Sequence, residues 1–133
     1  MDSRPNNRAL ARTVSTYYVA DQTRIGIGYE HIRDDINIID KMLTLSQDIA
    51  ENQKIEMIYA QSNEHSKNGI YGRAYEIELA YEHMLSKRTS IKCGVGIVQN
   101  SNTNINFGAN WLPPPLPSGS DLRFVTTGIA HSF

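Results

Sequence analysis

Along most of this chain a large apolar side chain recurs at every second residue, and that period restricts what the chain can fold into. In Tyr75-Glu76-Ile77-Glu78-Leu79-Ala80-Tyr81-Glu82 every odd position is large and apolar, while the even ones are acidic or small. A strand sends successive side chains to opposite faces, so this segment has one oily face and one wet face. Wound as a helix, the same residues would scatter around the axis. The pattern recurs in Ile25, Ile27 and Tyr29, set between Arg24, Gly26, Gly28 and Glu30. It recurs again in Ile55, Met57 and Tyr59, where Ile58 breaks the polar row, and in Ile91, Cys93, Val95 and Ile97. Leu43, Leu45 and Ile49 repeat it more weakly, and Val125, Thr127, Ile129, His131 and Phe133 repeat it at the carboxyl end. Thr13 to Ala20 shows it least. Seven strands and an all-β fold are expected.

The connections come in two sizes. Asp21-Gln22-Thr23, Ala50 to Gln53 and Leu85 to Thr89 are short and polar, as hairpin turns are. Arg33 to Asp40, Asn63 to Gly72 and Asn100 to Asp121 are longer, and the last holds Pro113-Pro114-Pro115, which cannot continue a ladder. Short and long connections alternate. An antiparallel up-and-down barrel in a membrane has that asymmetry, with short turns at one end and longer loops at the other. A soluble β-sandwich or lipocalin-like barrel also alternates, with its oily face inward. Against that, Tyr29, Tyr59, Tyr75 and Tyr81 fall at or near expected strand ends, where an interfacial aromatic girdle sits. The opposite face, rich in Gly, Ala and Glu, suits a water-filled lumen.

Composition closes other routes. At 133 residues the chain holds one domain, and a formal net charge of −1 argues against a protein built to bind nucleic acid. No apolar run reaches the roughly 18 residues of a membrane-spanning helix. The start, Met1-Asp2-Ser3-Arg4-Pro5, lacks the apolar core of a secretory signal. Residues 1–12 read as an irregular segment before a barrel portion over residues 13–133. The single Cys93 reads as a small buried hydrophobe on the apolar row, and His31, His65, His83 and His131 have no metal-ligand spacing. No cofactor and no enzymatic activity are expected.

Three stretches carry a family resemblance. Tyr81-Glu82-His83-Met84-Leu85-Ser86-Lys87-Arg88-Thr89-Ser90 resembles a turn between two late strands of Gram-negative general porins of the β-proteobacterial type. Gly128-Ile129-Ala130-His131-Ser132-Phe133 is similar to that family's closing strand, and Thr23 to Glu30 resembles its Gly-alternating, tyrosine-ended strands. The resemblance implies a sixteen-stranded antiparallel barrel in the cell outer membrane. It implies a homotrimer when full length, passing small hydrophilic solutes and ions by passive diffusion and surrounded by outer-membrane lipid. The family's constricting third loop has no counterpart here. About seven strands leave open edges, so a curved open sheet or partial barrel is expected.

The polar row then becomes a pore wall. Its expected lining is Arg24, Glu30, Lys54, Glu56, Glu76, Glu78, Glu82 and Lys92, five acids against three bases, which implies a mild cation preference. The other reading of these residues is a solvated face with no selectivity role. Val125, Ile129, His131 and Phe133 form the expected assembly signal, an edge strand that the outer-membrane barrel assembly machinery can extend by β-augmentation. Two readings from other classes stand beside the porin: a soluble β-rich binding or adhesion module, and a truncated gene product without function.

Overall fold

A computed structural model of the chain describes residues 10–33, 36–66, 69, 71–101, 117 and 119–133. Seven strands make one antiparallel sheet: β1 (Leu10–Ala20), β2 (Thr23–Arg33), β3 (Ile36–Ala50), β4 (Gln53–Ser66), β5 (Tyr71–Ser86), β6 (Thr89–Ser101) and β7 (Leu122–His131). They lie in chain order, each paired with its sequence neighbours, and the described residues include no helix. Nothing among the described residues pairs with the outer edge of β1 or of β7, so the sheet is open. Residues 10–12, expected to be irregular, are the start of β1. Residues 1–9 and the proline-rich stretch 102–116 lie outside the described residues.

Two of the three connections expected to be long are mostly strand. β2 continues to Arg33 and β3 starts at Ile36, while β4 and β5 extend to Ser66 and from Tyr71. The alternation fades there because Ile32 and Ile38 fall on the otherwise polar face while Asn37 and Asn63 fall on the apolar one. The ladder goes on all the same: Arg33 pairs with Asn37, and Asn63 with Arg73. β5, at 16 residues, is the longest strand. At about 3.3 Å per residue it reaches roughly 50 Å. The tyrosines expected at strand ends consequently lie inside the strands. They flank the apolar rows instead, with Tyr29 and Tyr75 on the far side and Tyr81 on the turn side.

The tight turns are Asp21-Gln22, Glu51-Asn52 and Lys87-Arg88. Asp21 takes a positive φ of 50°, which the primed turns common in two-residue hairpins use and Asp tolerates. The other two turns have no positive φ and carry register irregularities at Asp48/Ala50 and Met84/Ser86. The carbonyl of the second residue of each turn accepts an N–H from the chain one strand further along: Gln22 from Asp48 (2.8 Å), Asn52 from Met84 (2.8 Å) and Arg88 from Ser132, just past β7 (2.9 Å). These bonds record a regular stagger. Thr23, first after its turn, shares a ladder row through Gln47 with Ile55, two residues past Gln53. Gln53 in turn shares a row through His83 with Ile91, two residues past Thr89. Each hairpin therefore steps outward by two residues, or one residue per strand. A rise of about 3.3 Å for every 4.8 Å across gives a strand tilt of roughly 35°, the geometry of a barrel wall.

Burial is confined to one face, and it is the polar one. Ala74 and Val98 are 4% exposed, Ala80 3% and Asn100 6%, all at even positions. Large apolar residues at odd positions stand open, with Leu79 at 52% and Val125 at 74%. The polar face is thus concave and crowded, which is why it holds so many small residues. At Gly96 the ring of Phe124 occupies the space a side chain would need: a Cβ there would lie 2.3 Å from Phe124 Cζ. Gly96→Val should expel that ring and cost about 1–3 kcal/mol. Urea unfolding of the folded chain checks it, and Phe124→Ala combined with Gly96→Val should recover part of the loss.

Candidate functional site

The eight residues expected to line a pore do stand on one face. Register and alternation place Arg24, Glu30, Lys54, Glu56, Glu76, Glu78, Glu82 and Lys92 together on the concave side. Extension of the strands adds Asp40 and Glu64, expected in loops, and Asp48 of β3 joins them. Their even parity was the available signal. With them, every carboxylate within the seven strands lies on the concave face.

These charges are sorted along the strands. Near the turns one ladder row reads Asp48, Lys54, Glu82, Lys92 across β3 to β6, alternating in sign. Arg24 joins it through a two-pronged contact with Asp48, Nη1 to Oδ1 at 2.9 Å and Nη2 to Oδ2 at 2.7 Å. Lys54 Nζ sits 2.8 Å from Glu82 Oε2 and 3.6 Å from Glu56, and Lys92 Nζ lies 3.9 Å from Glu56. Opposite charges directly across a ladder attract, and the bidentate arginine adds orientation. An open depression of about 570 Å³ lies above this row, bounded by Arg24, Ser46, Asp48, Lys54 and Glu82 among others.

Toward the far end, among the described residues, the face carries acids without bases. Glu30 is directly opposite Asp40, and Glu76 and Glu78 follow each other on β5. Hydroxyls serve part of this set: Thr13 Oγ1 donates to Glu30 at 2.9 Å, and Ser62 Oγ donates to Asp40. The acidic excess expected from the sequence is therefore localised. Beside the turns it is cancelled by ion pairs, and in the far half, among the described residues, it is not.

Lys54 is the hub of the paired row. Lys54→Met leaves Glu82 and Glu56 facing each other without their shared cation. Because these side chains keep about a quarter of their surface in solvent, the loss should be near 1–2 kcal/mol rather than that of a buried pair. A double-mutant cycle with Glu82→Gln should return most of it as coupling, shrinking as salt is raised.

The convex face is the complement. Its central row runs Tyr18, Ile25, Leu45, Met57, Leu79, Val95, Val125, apolar across all seven strands. The apolar zone follows the stagger of the turns: Ile25, Ile55 and Ile91 each lie two residues after the residue that opens their strand. It is a stripe parallel to the line of turns and oblique to the strands. Cys93 stands on it exposed, beside Tyr81 and Thr127, so the buried position expected for it is not found.

The expected assembly residues share that convex face of β7. Val125 and Ile129 are exposed, and Phe133, beyond the strand's last ladder pair, is fully so. His131 contacts Thr89 Oγ1 through Nδ1 at 2.9 Å, and its ring meets that of Phe133 edge-on at 4.9 Å. Among the described residues no group of His, Cys, Asp or Glu is placed to hold a metal ion. No protein-family model and no curated protein matches the chain.

Proposed function

We propose that this sheet is part of an outer-membrane porin wall: the convex stripe faces lipid, the concave face lines a water-filled passage for small hydrophilic solutes, and no chemistry is catalysed. The observation that carries this is the inverted burial. Leu79, Ile77, Val95 and their neighbours stand exposed in a continuous stripe, while burial falls on the charged side. In water that stripe lies far outside what a soluble monomer leaves uncovered. In a bilayer it is satisfied. Strands tilted by about 35° and longer than needed carry an apolar band about 25 Å tall and project polar residues beyond it. The resemblance of Tyr81 to Ser90 and of the closing Phe133 strand to general porins supports the same reading.

The open edges belong to it. An unsatisfied backbone edge in hydrocarbon costs several kcal/mol per group, so a working channel needs further strands to close the wall. β1 and β7 run in the same direction, and antiparallel closure therefore requires an odd number of added strands. Nine, the number implied by a sixteen-stranded barrel, meets that condition.

The test is transfer between solvents. Diluted from detergent into phosphatidylcholine vesicles, the chain should become β-structured, with β2 to β6 protected from protease. Chain that is monodisperse and β-structured in water without detergent would instead favour a soluble binding module. In any closed barrel containing this wall, Glu76 and Glu78 bias conduction toward cations.

A further inference from the structure

The convex face has its own charge asymmetry. No carboxylate within the strands points to it, yet Arg12, Arg33, Lys41 and Arg123 all do, and all are exposed. Every one of them lies on the same side of the apolar stripe, away from the tight turns. Lys41 is directly opposite Tyr29, and Arg12 is opposite His31. His31 Nε2 lies 2.7 Å from Asn37 Oδ1 and 3.3 Å from Arg33 Nε. Arg73, on the same rim, holds Asn63 Oδ1 at 3.0 Å. On the turn side the equivalent positions are Gln53, His83, Thr89 and His131, with no Lys or Arg among them.

We propose that this one-sided cationic rim binds the anionic phosphate headgroups of the lipid leaflet on the far side of the sheet. The inference rests on the reading that the apolar stripe contacts lipid, and goes beyond it by assigning the chemistry of one leaflet. The rim is continuous with the stripe, so a lipid whose chains lie along Ile27, Leu43 and Tyr59 brings its headgroup to the level of Lys41. Long Arg and Lys stems lie along apolar surface and keep their charged ends at the interface. Concentrating every strand carboxylate on the concave face removes the repulsion that an anion would otherwise meet. Each Lys or Arg near an anionic bilayer surface strengthens binding by about fivefold.

The experiment measures binding of the 133-residue chain, diluted from detergent, to vesicles of phosphatidylcholine alone and of phosphatidylcholine mixed with phosphatidylglycerol. The chain should bind the mixed vesicles at least tenfold more tightly, a preference that fades at high salt. The variant R12Q/R33Q/K41Q/R123Q should lose the preference and keep its binding to phosphatidylcholine. K87Q/R88Q, which removes cations from a tight turn, should keep the preference. If the fourfold variant lacks strand circular dichroism on phosphatidylcholine, K41Q/R123Q alone should still reduce the preference severalfold. Equal binding of the wild type to both vesicles overturns the rim proposal and leaves the lipid-facing stripe standing. Loss of the preference in K87Q/R88Q equal to that in the fourfold variant also overturns it, as does capture by polyglutamate without preference for the mixed vesicles. Absence of binding to either vesicle overturns both readings.

Discussion

Leu79→Arg should weaken folding into lipid by about 2–4 kcal/mol, because it puts a guanidinium at the middle of the apolar stripe. Leu79 sits between Met57 and Val95 on the ladder, with Ile77 and Tyr81 on either side along β5, so no polar neighbour can receive the charge. The contrast with Thr126→Arg makes the number decisive. Thr126 is also exposed, but it lies on the concave face opposite Gly94, where a cation stays in water and can approach Glu78. Its cost should be within about 1 kcal/mol. If the stripe faced water, the two results would converge, since an exposed surface leucine replaced by arginine changes stability by only about 0.5 kcal/mol. Denaturant titration of each variant on phosphatidylcholine vesicles reads the difference. Equal costs would remove the membrane from the account.

The same contrast shows what the residues disclosed in advance. Where one face is apolar and the other polar or small, as in Ile25 to Tyr29 or Tyr75 to Glu82, the period of two survives and the strand is legible. β1 was faint because Tyr17 and Tyr18 fall on opposite faces of an edge strand exposed along its whole length, so neither side imposes a pattern. The ends of β2, β3 and β4 were illegible for a related reason. Beyond the stripe the faces mix, with Ile32 and Ile38 on the polar face and Asn37 and Asn63 on the apolar one, so these residues read as a loop although the ladder holds them. The charged row was hidden for a different cause. Asp48 meets Lys54, and Glu82 meets Lys92, only because irregularities at Asp48/Ala50 and Met84/Ser86 shift the register of their hairpins, and Lys54 meets Glu82 only through the pairing of β4 with β5. Neither the irregularities nor the pairing between hairpins can be counted from residue spacing.

Parity makes a second, all-or-none expectation: the 133-residue chain alone should give no steady unitary conductance in a planar bilayer, at any concentration. Six reversals separate β1 from β7, so they run the same way. Two copies inserted with the same orientation would meet β7 to β1 in parallel, against the antiparallel ladder of every other pair. Two copies inserted oppositely would pair antiparallel, but the cationic rim of one would then lie level with the turns of the other. The first closure rests on parallel seams, less stable per residue than the antiparallel ladder, and the second sets rim against turns, while an unclosed edge in hydrocarbon costs several kcal/mol per unpaired group. Irregular leakage, not stepped current, is the expected trace. An odd number of strands that keeps the orientation removes the conflict. A fusion that repeats β2 to β6 ahead of β1 has this property: the repeated β6 runs opposite to β1, and the repeated β2 runs opposite to β7. That chain should show discrete steps, and Glu76→Gln with Glu78→Gln in β5 should lower its cation preference. Stepped current from the unfused chain would mean that its edges find partners by another route, and the parity argument would fall.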